Sequence, residues 1–215
     1  MTRASKYHLK SEDVRKIINA TKNNRDKLII ELLAYTGCRR LELVLLRFMD
    51  IDFNREIIMM PTVKKEKQRI EDEHEKTKTE RIQIAYNHAR EIPIINPDLL
   101  RDLKSHFETM KDAKPNDRLI WSRQSKSITE PMINYIVRDA SIKAGVISSN
   151  PDRKYVHPHL FRHSFVRFAL KKGLNFKNIQ NIVGHESVAT TMDMYGHPSI
   201  EDVREDMKKM GDYGV

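Results

Sequence analysis

His159, Arg162, His185 and Tyr195 follow one another in a short C-terminal stretch as His-x-x-Arg, then Gly-His, then a tyrosine. A guanidinium grips an oxyanion through paired hydrogen bonds, an imidazole moves protons near neutral pH, and a phenol supplies an oxygen nucleophile. Together these are the parts needed to break a phosphodiester without a metal ion. Arg39, in Thr36-Gly37-Cys38-Arg39, lies far upstream. A site that uses it has to be built by folding, not by a local motif.

Each residue also has a plainer reading. Without its Thr-Gly-x-Arg context, Arg39 equally fits a surface ion pair. Tyr195 fits a half-buried core tyrosine, a reading that the preceding Gly184-His185 and Thr190-Thr191 weaken. His157, His159 and His163 have a spacing found among metal ligands, although no Asp or Glu sits nearby in the expected way. On a helix, His159 and Arg162 share a face, with His163 beside them. Cys38 is most simply a small packing residue.

The elements that must position these groups are mostly helical. Ser11 followed by Glu12 and Asp13 marks a helix start, with Val14, Ile17 and Ile18 as its apolar face. A second helix is predicted from about Asp26 to Tyr35, stopped by Gly37 as a left-handed cap. A short one follows over Arg40 to Leu46. Strands are predicted at Glu56–Met60 and Arg90–Ile94, the latter at an edge because of Pro93, with a third at Arg81–Ile84. Residues 64–80 are almost entirely charged and read as a solvated loop or protruding hairpin, mobile in the unbound chain.

Further helices are predicted over Asp98–Lys111, Thr129–Ala144, His159–Lys172 and Asn175–Val183, the last three closed by Gly145, Gly173 and Gly184. Ser187 opens a short helix carrying Tyr195. Ser199-Ile200-Glu201-Asp202 reads as a capping box, with Ile200, Val203, Met207 and Met210 forming a narrow apolar stripe. That stripe suits folding back onto its own core or docking on a neighbour.

The 215 residues suit one large domain, or a domain with a tail. With 39% hydrophobic and 32% charged residues, the chain reads as globular with a heavily charged surface. No apolar run approaches the roughly 20 residues a membrane span needs, which excludes a membrane partner of that kind. One cysteine, Cys38, excludes an internal disulfide and a thiolate zinc cluster, and fits a reducing cytoplasm. The net charge of +9 favours a polyanion, because each neutralised phosphate releases counterions.

Three blocks taken in order resemble the catalytic domain of the tyrosine recombinases, the phage-integrase-like family. They are Thr36-Gly37-Cys38-Arg39-Arg40-Leu41-Glu42-Leu43, then His157-Pro158-His159-Leu160-Phe161-Arg162-His163, then Val183-Gly184-His185 through Thr190-Thr191 to Tyr195. The resemblance implies a mostly α fold with a small antiparallel β-sheet, an α+β class. It implies DNA strand cleavage and rejoining for site-specific recombination, through a 3′-phosphotyrosyl intermediate and without metal, ATP or cofactor. Tyr195 would attack the phosphate, Arg39 and Arg162 would clamp its oxygens, His159 would act as acid/base, and His185 would hydrogen-bond the phosphate. Glu42 would buttress the first arginine block.

Two departures accompany the resemblance. The family's lysine, which protonates the leaving 5′-oxygen, falls to Lys64 or Lys65, with Lys76 and Lys78 also eligible because the returning strand arrives late. The helical core-binding domain that usually precedes the catalytic one is expected to be absent, as in a truncated form or a naturally short protein. Residues 1–198 would then be the catalytic domain, and 199–215 a C-terminal helix or tail. The implied partners are double-stranded DNA and further copies of the chain in a dimeric or tetrameric synapse joined through that helix. The implied location is the cytoplasm, on the nucleoid or as a virus-encoded protein in its host. A topoisomerase of type IB, a catalytically silent DNA-binding domain and a metal-dependent phosphodiesterase are the rival readings.

Overall fold

Asn23 accepts a hydrogen bond from the Asp26 N–H and so caps α2 (Asn24–Thr36), whose Leu28, Ile29, Ile30, Leu32 and Leu33 are all buried. A helix apolar around most of its circumference belongs at the centre of a fold. In the computed structural model, which describes residues 7–63, 86–122, 127–148, 150 and 153–184, α2 is that centre. Fully burying one such aliphatic side chain is worth about 1.5–3 kcal/mol, so this helix supplies much of the driving force.

Around it pack α1 (Ser11–Ala20), α3 (Arg40–Leu45), α4 (Pro97–Thr109), α5 (Glu130–Lys143) and α6 (Pro158–Lys171). Helix α7 (Phe176–Val183) lies against α6 through a second small core of Val166, Ala169, Ile179 and Val183. Starts and stops follow local chemistry. Asn96, Thr129 and Asn175 cap α4, α5 and α7, and proline occupies the first turn of α4, α5 and α6. The Leu9 N–H donates to Ser164 Oγ at 2.7 Å, tying the start of the described chain to α6.

The sheet has three antiparallel strands in the order β1 (Ile51–Asp52), β2 (Ile57–Met60), β3 (Arg90–Pro93). Pro93 sits on an edge strand, as its missing N–H requires. Two residues in β1 are too few for an alternation to register, and the sequence reading has only a helical lead-in there. Apart from a 3₁₀ turn at Phe48–Asp50, for which no element is predicted, the other described elements match their predicted positions to within a few residues. The predicted strand at Arg81–Ile84, the charged stretch 64–80, the helix bearing Tyr195 and the C-terminal helix lie outside the described residues. Among the described residues no helix is long and apolar enough to cross a membrane.

Candidate active site

Gly37 closes α2 in the left-handed conformation, with φ +61°. The chain turns there, buries Cys38, and delivers Arg39 as the residue capping α3. Glu42, in the first turn of α3, accepts from the Arg39 N–H at 2.8 Å and from Arg39 Nη1 at 2.8 Å. One carboxylate thus fixes both the backbone and the side chain of Arg39. From the sheet, Arg90 donates Nη2 and Nη1 to the two oxygens of Glu42 at 2.8 and 3.2 Å. Burial pushes the Glu42 carboxyl up, but Arg90, Arg39 and Arg162 outweigh it and hold the group below the usual carboxylate range.

Arg162 enters from α6 and is buried, at 3% exposure. Its Nη1 donates to the Gly37 carbonyl at 2.8 Å and its Nη2 to the Val183 carbonyl at 2.6 Å. Arg39 Nη2 donates to the Gly184 carbonyl at 3.1 Å, and Arg90 Nε to the Ile182 carbonyl at 2.6 Å. Three consecutive carbonyls at the end of α7 therefore each receive a different guanidinium. Such carbonyls lack partners in their own helix and carry the negative end of its dipole. Gly184, at φ +64°, permits the approach: a Cβ there would stand 3.2 Å from Arg90 Cζ.

Among the described residues the cluster holds three guanidiniums against one carboxylate, an excess of two positive charges, with Arg162 pushed down to about 9 by burial and then by Arg39. It remains charged at neutral pH, and an arriving anion would relieve that repulsion. His159 stands exposed one turn before Arg162, its ring edge to face with His163 at 4.7 Å. Burial first, then His157 and Arg162, pushes the His163 imidazole down to about 4 and keeps it neutral. Arg39, His157 and His159 line a cavity of about 790 Å³, whose wall adds Arg40, Arg138 and Arg153. Among the described residues no three His, Cys, Asp or Glu side chains form a metal-ligand set, and this includes His157, His159 and His163.

Of the predicted site residues, the structure gathers Arg39, His159 and Arg162, with Glu42 beneath Arg39. Lys64, Lys65, His185 and Tyr195 lie outside the described residues, as do Lys76 and Lys78. Sequence reasoning placed Arg90 only as part of an edge strand and missed it as a member of the cluster. A signal was present: Arg90 shares a strand face with buried Ile92, and a charge on the inward face needs a buried partner.

The description "Phage integrase family" matches residues 8–201. Tyrosine recombinase XerA of Pyrococcus horikoshii is 28% identical over 202 residues, which are 94% of this chain and 60% of that protein. Tyrosine recombinase XerC of Staphylococcus aureus is 27% identical over 187 residues, 87% of this chain and 53% of the relative. The chain thus spans between about half and two thirds of these relatives' length. A crystal structure of XerA recombinase superposes with a TM-score of 0.71 at 26% identity, covering 95% of this chain and 63% of that one. The XerH recombinase bound to its difH substrate shares the fold at a TM-score of 0.65 and 19% identity, covering 93% of this chain and 53% of that one. With a match over most of its length and the arginine cluster in place, the chain belongs to the phage integrase family.

Proposed function

We propose that the chain cuts and rejoins duplex DNA by transesterification, as a site-specific recombinase. The observation that carries this reading is the junction of Arg39 and Arg162, which donate to the adjacent carbonyls of Gly184 and Val183 with His159 one turn away. Two fixed guanidiniums with surplus positive charge suit the non-bridging oxygens of a phosphodiester, whose charge grows in a pentacoordinate transition state. In this reading Tyr195 attacks phosphorus and forms the 3′-phosphotyrosyl bond, while the 5′-oxygen leaves with a proton from a lysine, Lys64 or Lys65. His159 handles the tyrosine proton, and His185 hydrogen-bonds the phosphate. The covalent bond conserves the phosphodiester energy, so rejoining draws on neither ATP nor metal.

Duplex DNA is the proposed partner, held by the basic wall of the cavity. The XerH recombinase, the structural relative solved on difH substrate, supports that reading. Other copies of the chain are the second proposed partner, engaged through the apolar stripe from Ile200 to Met210. The test is covalent trapping on nicked duplexes drawn from a randomised library, with chelator present. A protein–DNA adduct that survives denaturation and disappears in Tyr195→Phe is expected. Binding without any adduct would sink the catalytic reading in favour of a silent DNA-binding domain. An adduct that relaxes supercoils yet never exchanges strands between two duplexes would favour a topoisomerase.

A further inference from the structure

Arg90 belongs to neither of the arginine blocks that suggested the chemistry, yet among the described residues it is the most heavily engaged guanidinium of the cluster. It comes from β3, is largely buried, and makes four side-chain hydrogen bonds. Two go to the Glu42 carboxylate at 2.8 and 3.2 Å, one to the Ile182 carbonyl at 2.6 Å and one to Thr62 Oγ1 at 2.9 Å. Thr62 stands on the chain just after β2, immediately before the segment bearing Lys64 and Lys65. Ile182 stands in the last turn of α7, immediately before the segment bearing His185. Glu42 holds Arg39. One planar group therefore grips the three places from which separate parts of the site depart.

We propose that Arg90 is a positioning residue for strand transfer, fixing Arg39 through Glu42 and anchoring the departure points of the lysine and His185 segments through Thr62 and Ile182. This rests on the functional reading above. The geometry favours positioning over direct phosphate contact, because four of the five N–H donors of Arg90 are committed to protein acceptors. A fork of fixed donors is required: an ammonium in the same place is a single point and spans neither carboxylate oxygen pair nor carbonyl. Misplacement of reacting groups by a fraction of an ångström lowers the chemical step far more than it lowers binding.

The experiment uses a nicked duplex that the wild-type chain captures covalently, and compares wild type with Arg90→Lys and Arg90→Gln. Single-turnover adduct formation is followed at saturating protein, beside duplex affinity by anisotropy and the folded fraction by circular dichroism. The expected result is a rate lower by about 10- to 100-fold per folded molecule, with affinity changed by less than about threefold. A pH–rate profile supplies a readout that loss of fold would not move. In Arg90→Gln, Glu42 keeps, among the described residues, Arg39 and Arg162 as cationic neighbours beside the buried thiol of Cys38, so its carboxyl titrates higher. The rate of that variant then acquires a fall toward acid pH beyond any that wild type shows, and Glu42→Gln in the same background removes the added fall.

Rates within threefold of wild type per folded molecule, or an unchanged pH profile, would overturn the proposal. So would a drop confined to affinity, which would make Arg90 a DNA contact. A wild-type chain that captures no duplex overturns the functional reading itself, and the positioning role with it.

Discussion

Replacing Gly37 by alanine tests whether the turn that delivers Arg39 is as tightly built as its contacts imply. Two costs apply. Alanine at φ +61° sits in the left-handed region, which costs about 1–2 kcal/mol. Its Cβ would also lie 2.7 Å from Phe165 Cδ1 and 3.0 Å from Cγ, on the helix that carries Arg162. Relieving such overpacking costs about 1–3 kcal/mol. Gly145 is the internal control, because it has φ +66° but nothing within 4 Å of the point where a Cβ would stand. Gly145→Ala therefore incurs the conformational cost alone, and any gain from a stiffer unfolded chain is common to both variants and cancels. Urea unfolding of the two variants is expected to differ by about 1–3 kcal/mol, with Gly37→Ala the less stable. Phe165→Leu in the Gly37→Ala background should recover part of the difference as a favourable coupling. Equal losses in the two glycine variants, within about 0.5 kcal/mol, would refute the steric part of the reasoning.

Two further outcomes follow from the charged groups. His163 has its imidazole pushed down to about 4 in the fold, against about 6.5 when unfolded, so between these values only the unfolded chain takes the proton. The neutral ring's contribution is complete above about pH 6.5 and is lost as pH falls toward 4. Wild type should lose roughly 3 kcal/mol more than His163→Gln over that window in urea titrations at fixed pH, and parallel losses would contradict the assignment. If Lys64, Lys65, Lys76 or Lys78 protonates the leaving oxygen, its alanine variant should lose about 10²- to 10⁴-fold in cleavage. A sulfur in place of the bridging 5′-oxygen needs no acid and should restore that variant alone. Four variants all cleaving the oxygen ester at the wild-type rate would remove the general acid from this segment.

What could be read in the sequence divides along physical lines. Helices were legible because their signals are local: Ser11 followed by Glu12 and Asp13 at a start, Gly37 and Gly184 as left-handed ends. Glu42 as a buttress of the first arginine block came from the resemblance, and its bonds to Arg39 close within one helical turn. Arg90 was missed because its partners Glu42 and Ile182 are 48 and 92 residues away, and its one local signal, a charge on the inward face of a strand, does not say which groups they are. Strand β1 was missed for another reason: its two residues pair only because β2 is there to receive them.

The three carbonyls of Ile182, Val183 and Gly184 also bear on the order in which the molecule is made. Their bonds to Arg90 and Arg39 close loops of 92 and 145 residues, and Gly37 waits across 125 residues for Arg162. Contacts of such long range bear the largest closure entropy and form late. On the ribosome, the early helices can already pack while the guanidinium of Arg39 has no terminal acceptor to meet. Glu42 can already hold Arg39 and Arg90, but the carbonyls of Ile182, Val183 and Gly184 that receive all three guanidiniums arrive only with α7, so a partly synthesised chain carries the cationic groups with that junction unmade.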